Sequence, residues 1–285
     1  MTNADASREP RVDAHHHLWR LDRGDYGWLT PELAAIYRDF TLADLLPLLR
    51  DARIEATVLV QAAPTIAETR FLLDIARASG GVVRGVVGWL DMCAPDAVST
   101  LTRLARDPLL KSIRPMLQDL PDPAWILRAD ARPVLEALPR LGLAFDALVK
   151  PAQLPALLEL VRRLPDLDVV IDHGGKPAIV AGDWEPWADL MTSLAAHPRV
   201  VCKLSGLATE AGHGWSPHRL RCHVEHLIKC FGPYRLLWGS DWPVVDLGGG
   251  YRRWVAATDE LLSDLSPVDR AAILGGNAWR IYRLE

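Results

Sequence analysis

Eight short runs of apolar residues recur along the chain, and stretches with helical periodicity separate them. The runs are Arg11–His17, Ala56–Ala62, Arg84–Leu90, Ser112–Leu117, Ala144–Val149, Val169–His173, Val200–Ser205 and Leu236–Ser240. This alternation predicts a parallel sheet whose strands are joined by crossover helices. Because eight parallel strands can close on themselves and leave no sheet edge unpaired, we predict an α/β fold of the (β/α)8 TIM-barrel type.

Residues that begin and end helices lie between these runs. Thr41 precedes LADLLPLLRDA, Gly80 and Gly81 follow the segment 67–78, and Ser266 precedes Pro267 as a helix N-cap would. An α/β barrel uses about 250 residues as one folding unit. We therefore predict a single domain over residues 11–285, preceded by a polar, disordered lead-in over residues 1–10.

Charge and composition favour small-molecule chemistry. The formal net charge is -4, and no run of lysine and arginine provides the basic patch that a nucleic acid or an anionic membrane would require. The chain also lacks an apolar run of the roughly 18 residues that span a membrane, and it lacks the glycine-rich loops that bind nucleotides. Its four cysteines form no Cys-x-x-Cys pair, which favours reduced thiols and a cytoplasmic location.

Three adjacent histidines end the first predicted strand. Because alternate side chains of a strand share a face, His15 and His17 point to one side and His16 to the other. A His-x-His pair at the end of a strand can hold one metal ion or orient one substrate. Taken alone, the pair is equally compatible with solvated or core histidines.

Two further candidates follow the sixth and eighth predicted strands. His173 lies on the same strand face as Val169 and Ile171, and Asp241 follows Leu236–Ser240 in the segment GSDWPV. Active sites of barrels lie at the carboxyl ends of the strands, and strands one and eight are neighbours in a closed barrel. We therefore expect both residues to converge with His15 and His17 around one ion or one water molecule.

The order and wording of several segments resemble those of a known family. These segments are VDAHHHLW, VLVQAAP, GVVGWLD, IRPMLQD, VIDHGGKP, CKLSGL, LLWGSDWPV and GGNAWRIY. Together they are similar to the amidohydrolase superfamily over nearly the whole chain. The DHGGKP and GSDWPV segments resemble more narrowly the branch of sugar lactonases that act on L-fucono- or L-rhamnonolactone, which is related to 2-pyrone-4,6-dicarboxylate lactonase.

This resemblance implies roles for the four candidates in opening a sugar lactone. His15 and His17 become metal ligands or groups that orient water, His173 polarises the carbonyl, and Asp241 is the general base. The chain departs from the superfamily's two-metal pattern, since Arg114 stands on strand four where relatives place Lys or Glu, and Asp146 stands on strand five where they place His. The resemblance thus implies at most one divalent ion, zinc, bound by His15, His17 and Asp241, and leaves open whether turnover needs it.

Specificity for a small-molecule lactone should come from residues near the barrel mouth. By strand parity the polar candidates are Gln61, Asp146, Lys203 and Ser205, while the aromatic candidates for stacking on a sugar are Trp19, Trp28 and Trp242. Arg114 is the arginine placed on an inner strand end, and a dicarboxylate would favour several. This charge pattern favours an uncharged aldonolactone, although Arg20, Arg23, Arg252 or Arg253 in the loops would change the count.

Three other interpretations remain open at this stage. The chain could be a zinc-dependent decarboxylase or hydratase of a small aromatic or unsaturated acid, or a pyrone-dicarboxylate lactonase. It could also be a catalytically silent barrel that binds a sugar, although an unused buried carboxylate at Asp241 would be a liability for stability. The sequence does not give the oligomeric state or the stereochemistry of the sugar.

Overall fold

A computed structural model describes residues 11–285, and the predicted lead-in over residues 1–10 lies outside them. Eight strands form one sheet in which every adjacent pair is parallel. They are β1 Arg11–His16, β2 Ile54–Val60, β3 Val83–Gly88, β4 Leu110–Ile113, β5 Ala144–Ala147, β6 Val169–Ile171, β7 Val200–Leu204 and β8 Leu236–Trp238.

The strands follow chain order around the sheet, and the two outer strands meet. His16 pairs with Trp242 in a parallel bridge just beyond the end of β8. The backbone N–H of His17 donates to the carbonyl of Trp242 at 2.7 Å, and that of Asp241 donates to the carbonyl of His15 at 2.7 Å. The predicted α/β barrel is thereby confirmed, and its closing seam lies at the level of the candidate site.

Helices connect the strands. They are α1 Leu42–Ala52, α2 Ile66–Ala78, α3 Ala97–Leu104, α4 Arg132–Ala137, α5 Leu154–Arg163, α6 Trp187–Ala195, α7 Leu207–Glu210, α8 Pro217–Phe231, α9 Tyr251–Leu261, α10 Pro267–Ala271 and α11 Asn277–Tyr282. Thr41 and Ser266 are the N-caps of α1 and α10, as predicted.

Apolar side chains form two buried clusters. The larger one fills the space between the strands and the helices. The smaller one fills the lower part of the barrel, where Val12, Val58 and Leu237 pack against Tyr282 and Leu284 from the C-terminal segment. The C-terminal segment therefore closes the bottom of the barrel, and the open end is the one to which the carboxyl ends of the strands point.

The predicted strand runs extend past several observed strands. The run predicted over Val169–His173 ends as a strand at Ile171, because His173 has φ 55° in the turn Asp172–Gly175. The prediction that His173 shares a strand face with Val169 is therefore wrong, since a residue in the left-handed conformation does not follow the alternation of a strand. The turn, rather than the pleat, directs its side chain.

No helix within residues 11–285 combines the length and the apolar character needed to cross a membrane. All four cysteines are free thiols, in keeping with the scattered spacing seen in the sequence.

Gly239 lies where β8 approaches β1 most closely. A Cβ atom at this position would lie 2.7 Å from the Cβ of His15 and 3.0 Å from its backbone nitrogen. Since backbone cannot move aside as a flexible side chain can, we expect Gly239→Ala to destabilise the fold by about 1–3 kcal/mol and to lower activity by displacing His15. Thermal unfolding measures the first effect. Gly27→Ala is the control, because a Cβ there has no atom within 4 Å; equal melting temperatures for the two variants would contradict this account of the seam.

Candidate active site

Three imidazole rings surround one carboxylate oxygen at the open end of the barrel. Oδ1 of Asp241 lies 3.3 Å from Nε2 of His17, 3.6 Å from Nε2 of His15 and 3.8 Å from Nε2 of His173. All four side chains are buried, with at most 4 % of each residue exposed. The structure thus brings together the four residues that the sequence singles out, from strands β1, β6 and β8.

Strand geometry and the seam explain this convergence on the β1 side. The Nε2 atoms of His15 and His17 are 3.2 Å apart, whereas His16 points away and its Nε2 lies 2.9 Å from the Thr57 hydroxyl. Asp241 adopts φ 60°, a left-handed conformation that costs a non-glycine residue free energy. Its backbone hydrogen bond to His15 holds it in that conformation and turns its carboxylate towards the two rings.

His173 is positioned by the β7 side of the barrel. Its Nδ1 lies 2.9 Å from the hydroxyl of Ser205, the residue that follows β7. The next residue is Gly206, with φ 67°, and a Cβ there would lie 2.6 Å from Cγ and Nδ1 of the His173 ring. Glycine is therefore required at this position both by the backbone conformation and by the close approach of the ring.

The hydrogen bond at Nδ1 of His17 determines which nitrogen of the ring carries the proton. Nδ1 lies 2.8 Å from the carbonyl of Val60 and must carry the proton of that bond, because a carbonyl only accepts. With Nδ1 so engaged, the lone pair of Nε2 faces Oδ1 of Asp241, which also only accepts. Two facing acceptors at 3.3 Å require a proton or a cation between them.

The donor set fits such a cation. One ligand atom from each of His15, His173 and Asp241 lies within 4.8 Å of the others. Two imidazole nitrogens and a carboxylate are a common three-ligand set of catalytic zinc, which leaves one coordination position open. The sequence analysis gives His17 as the second histidine ligand, whereas His173 is the second histidine in this set. His17 still contacts the set through Asp241.

A buried ionic network lies beneath the four residues. The ammonium group of Lys203 donates to Oδ2 of Asp146 at 2.6 Å and lies 3.0 Å from Oδ1 of Asp172. The Tyr282 hydroxyl donates to the same Asp146 oxygen at 2.7 Å, and Arg114 Nη1 donates to Asp172 Oδ2 at 3.0 Å. The network therefore pairs each carboxylate with a cation, as charges removed from water require.

This network reaches the site through His15. Nδ1 of His15 lies 3.3 Å from Asp172 Oδ1 and 3.2 Å from the Lys203 ammonium. We assign the Nδ1 proton of His15 to its contact with Asp172, because Oδ1 of Asp172 is a buried acceptor with no other hydrogen bond among the described residues. That tautomer leaves Nε2 as a lone pair facing the site, which is the arrangement that second partners commonly impose on metal-binding histidines.

Burial and neighbouring charges shift the pKa values of Asp241, His173 and His15. Burial alone raises the pKa of Asp241, but the surrounding rings, His173 foremost, hold it below its ordinary value of 3.8. Burial lowers the pKa of His173 from 6.5 to about 4, and burial together with the Lys203 ammonium lowers the pKa of His15 well below 6.5. At neutral pH Asp241 is thus an ionised acceptor beside neutral His15 and His173.

A cavity of about 260 Å³ opens directly above the cluster. His17, His173 and Asp241 form part of its floor. The walls come from loops that follow the strands: Trp28, Leu33, Ala62, Arg114, Met116, Gln118, Asp119, Leu148, Lys176, Val244 and Leu247. This volume suits one small ring, and the lining mixes apolar surface with a few polar groups, as ligand sites generally do.

Two of the residues predicted to contact substrate line this cavity, Arg114 and Trp28. The others lie elsewhere within the described residues. Lys203, Asp146 and Gln61 are fully buried below the cavity, where the Gln61 amide donates to the carbonyl of Arg114 at 2.7 Å. Contact of these three residues with substrate stays a prediction, because parity gives the side of a strand but not the depth along the barrel.

Trp19 and Trp242, the other predicted aromatic residues, make contacts within the protein. Trp19 is fully buried and its indole donates to the carbonyl of Arg38 at 2.8 Å. Trp242 packs edge-on against Phe40, with ring centroids 5.1 Å apart. Neither Trp19 nor Trp242 lines the cavity in the described chain, and neither do the loop residues Arg20, Arg23, Arg252 and Arg253. Arg114 and Lys176 are the cationic side chains of the lining, and each is already paired with a carboxylate, Asp172 and Glu210 respectively.

Sequence reasoning did not identify Glu68 as part of the site. This α2 residue is fully buried, and its carboxylate accepts hydrogen bonds from the backbone N–H groups of Ala62, at 3.0 Å, and Ala63, at 2.6 Å. The carbonyl of Ala62 in turn accepts the indole N–H of Trp28 at 2.7 Å. Glu68 therefore fixes two pieces of the cavity wall without touching the cavity.

Burial raises the pKa of Glu68 from 4.5 to about 7. Between pH 4.5 and pH 7, Glu68 keeps its proton in the folded protein and loses it in the unfolded chain. The free energy of unfolding therefore falls as pH rises. Relative to Glu68→Gln, we expect the wild-type free energy of unfolding to fall by about 3 kcal/mol from pH 4.5 to pH 7. Denaturant unfolding at several pH values measures this difference, and parallel curves for the two proteins would refute the assignment.

Comparison with known proteins agrees with this geometry. The family model described as amidohydrolase matches residues 12–284. The chain is 47% identical over 279 residues to an L-fucono-1,5-lactonase of Burkholderia ambifaria, covering 96% of each chain. It is 35% identical over 288 residues to an L-fucono-1,5-lactonase of Burkholderia multivorans, again covering 96% of each.

A solved structure with bound zinc shares the fold. It is an amidohydrolase from Burkholderia multivorans with bound zinc, with a TM-score of 0.92, 34% sequence identity, and coverage of 97% of this chain and 100% of that one. The family match spans nearly every described residue. The barrel of this chain holds its histidine and carboxylate cluster at the carboxyl ends of the strands. The chain belongs to the amidohydrolase family.

Proposed function

We propose that the protein hydrolyses a sugar lactone, an aldono-1,5-lactone of the L-fucono type, to the aldonic acid. The observation that carries this proposal is an ionised, buried carboxylate, Asp241, set among three imidazoles at the floor of a cavity for one small ring. The two L-fucono-1,5-lactonases to which the chain is similar support the substrate class. The free thiols agree with a cytoplasmic enzyme.

In this reaction Asp241 is the general base. A water molecule held between Asp241 and the rings of His15 and His17 gives a proton to the carboxylate, and its oxygen attacks the lactone carbonyl carbon. The bond between that carbon and the ring oxygen then breaks, and Asp241 returns the proton to the departing oxygen. One water and one lactone thus give one hydroxy acid, with the enzyme unchanged.

Two groups are positioned to stabilise the negative charge that develops on the carbonyl oxygen. His173 faces the cavity across from Asp241, with its Nδ1 held by Ser205. Arg114 also lines the cavity, and its guanidinium is held there by hydrogen bonds to Asp172 and to the carbonyl of Gln61. Fixed donors aimed at a developing oxyanion stabilise the transition state more than the ground state.

We propose that His15, His173 and Asp241 hold one zinc ion, with His17 beside it. When bound, the ion would supply Lewis acidity to the lactone carbonyl in place of the His173 N–H, since a ring nitrogen that holds a metal has no proton to donate. A lactone is already an activated ester, so a positioned base and oxyanion donors provide much of the catalysis. The residues of the chain therefore retain activity of their own.

Removal of the metal tests how much of the catalysis comes from the ion and how much from the residues of the chain. After dialysis against a chelator, we expect metal content to fall from about one zinc per chain to near zero and the melting temperature to decrease. We expect kcat to fall by no more than about 10-fold, because the base is retained. Elemental analysis, thermal unfolding and lactone assays give the three values. Complete loss of activity that zinc restores would contradict the prediction and make the ion essential.

A pH-indicator assay across aldono-1,4- and aldono-1,5-lactones tests the function itself. We expect acid release well above the spontaneous rate, with the highest kcat/KM for lactones of the L-fucono type. 2-Pyrone-4,6-dicarboxylate is the matched charged substrate, and we expect it to be poor because few cations line the cavity. Acid release from the dicarboxylate alone, or carbon dioxide release from an aromatic acid without lactone opening, would overturn the proposal.

A further inference from the structure

A second cavity of about 580 Å³ lies beside the first. Its lining comes from the loops that follow β1, β2, β3 and β4, so it opens at the same end of the barrel as the catalytic cluster. Trp28, Met116 and Asp119 line both cavities. A ligand whose reacting ring occupies the first cavity can therefore extend into the second over these three residues.

The walls of the second cavity present flat aromatic surface. Trp28, Trp89 and Trp125 are half-buried there, and leucine, proline and methionine side chains fill the space between them. Indole faces of this kind stack on the apolar C–H face of a pyranose or on an aromatic ring. The aromatic surface alone is therefore compatible with either a sugar or an aromatic ligand.

The polar groups of the lining decide between these classes. Asp91 and Asp119 are exposed carboxylates that each use one oxygen within the protein, accepting from the Cys93 N–H at 3.0 Å and the Gln118 amide at 3.3 Å. Their other oxygens can accept from a ligand, whereas Asp25 is paired with Arg23 at 2.7 Å. Several hydroxyl groups on one ring can donate to such carboxylates, whereas an unsubstituted aryl ring has no donor for them and gains no such hydrogen bonds. Among the described residues, the lining holds no lysine or arginine, so an anionic ligand would meet only like charge.

We propose that the second cavity binds a neutral monosaccharide unit attached to the lactone, so that the enzyme accepts glycosylated aldonolactones. This inference rests on the proposed lactonase activity and names an extended form of its substrate. The lactone ring lies over Asp241, and the attached sugar stacks on Trp89 and Trp125. Trp28, held by its hydrogen bond to the Ala62 carbonyl, separates the two subsites.

The test uses L-fucono-1,5-lactone and its derivatives carrying a neutral hexose at O-2, O-3 or O-4. At least one derivative should have a kcat/KM equal to or above that of the free lactone. Trp125→Ala should lower kcat/KM for that derivative by about 10-fold, mainly through KM, while activity on the free lactone stays within about 2-fold. Trp125→Phe, which keeps a flat ring, should recover most of the loss.

Two controls define the chemistry of the subsite. Trp184→Ala removes an exposed tryptophan that lines neither cavity, and it should leave both activities unchanged. A uronic acid in place of the hexose should lower kcat/KM by about 10-fold or more, since each unfavourable 1.4 kcal/mol costs a factor of ten.

The inference fails if the free lactone is hydrolysed and no glycosylated lactone is, or if Trp125→Ala lowers both activities equally. It also fails if an aryl-substituted lactone is preferred to the glycosylated ones. Absence of activity on the free lactone would instead count against the proposed function. The two failures are therefore distinguishable in one set of assays.

Discussion

Asp241→Asn is expected to lower kcat for lactone hydrolysis by about 10²- to 10⁴-fold, the range that a positioned general base contributes. The amide cannot take a proton from water, yet it has the size of the carboxylate and keeps the backbone hydrogen bond to His15 that closes the barrel. The fold should therefore survive. Stopped-flow or indicator assays give kcat, and circular dichroism with thermal unfolding reports the fold.

Asp246→Asn is the matched control for this experiment. Asp246 is a half-buried carboxylate on the same loop after β8, and it does not line the catalytic cavity. Its replacement should leave kcat within about 2-fold of wild type, since it is no part of the base machinery. A fully active Asp241→Asn variant, or one no worse than Asp246→Asn, would remove Asp241 from the role of base.

Lys203→Met is expected to lower the free energy of unfolding by about 3–5 kcal/mol. Lys203 is fully buried, and its ammonium group lies against the carboxylates of Asp146 and Asp172, at 2.6 and 3.0 Å. Removing the cation leaves buried negative charge beneath the active site with fewer partners. Denaturant unfolding measures the loss, and kcat should fall as well because Asp172 orients His15.

Two further variants separate this effect from the loss of any ion pair. Arg199→Met breaks a half-exposed pair with Asp168 at 2.9 Å and should cost less than about 1 kcal/mol. Adding Asp146→Leu to Lys203→Met removes one of the stranded carboxylates and should restore part of the stability, since Asp172 keeps Arg114. If Lys203→Met were as mild as Arg199→Met, burial of the Lys203 ion pairs would not make them important for stability.

The sequence predicts the barrel and the four residues of the candidate site for the same reason. Strand parity puts His15 and His17 on one side of β1, and closure of eight strands makes β8 the neighbour that brings Asp241 to them. These are local rules combined with one topological rule, and both can be applied to a single sequence. They require no knowledge of how side chains pack.

Depth along the barrel and the paths of the loops do not follow from such rules. Lys203 and Asp146 have inward positions on their strands, but whether an inward side chain meets substrate or another residue depends on the layer it occupies. The turn at His173 depends on Ser205 and Gly206 from the next strand, which no local pattern predicts. The cavity walls, including the loop that Glu68 holds, likewise depend on contacts between distant segments.

The most direct test of the catalytic assignment is a crystal structure of Asp241→Asn with L-fucono-1,5-lactone bound. The account predicts the lactone ring in the cavity above His17 and His173, with a water molecule about 3–3.5 Å from its carbonyl carbon and in contact with the side chain at position 241. A lactone whose carbonyl lies away from these residues, with the ring bound only elsewhere on the barrel, would contradict it.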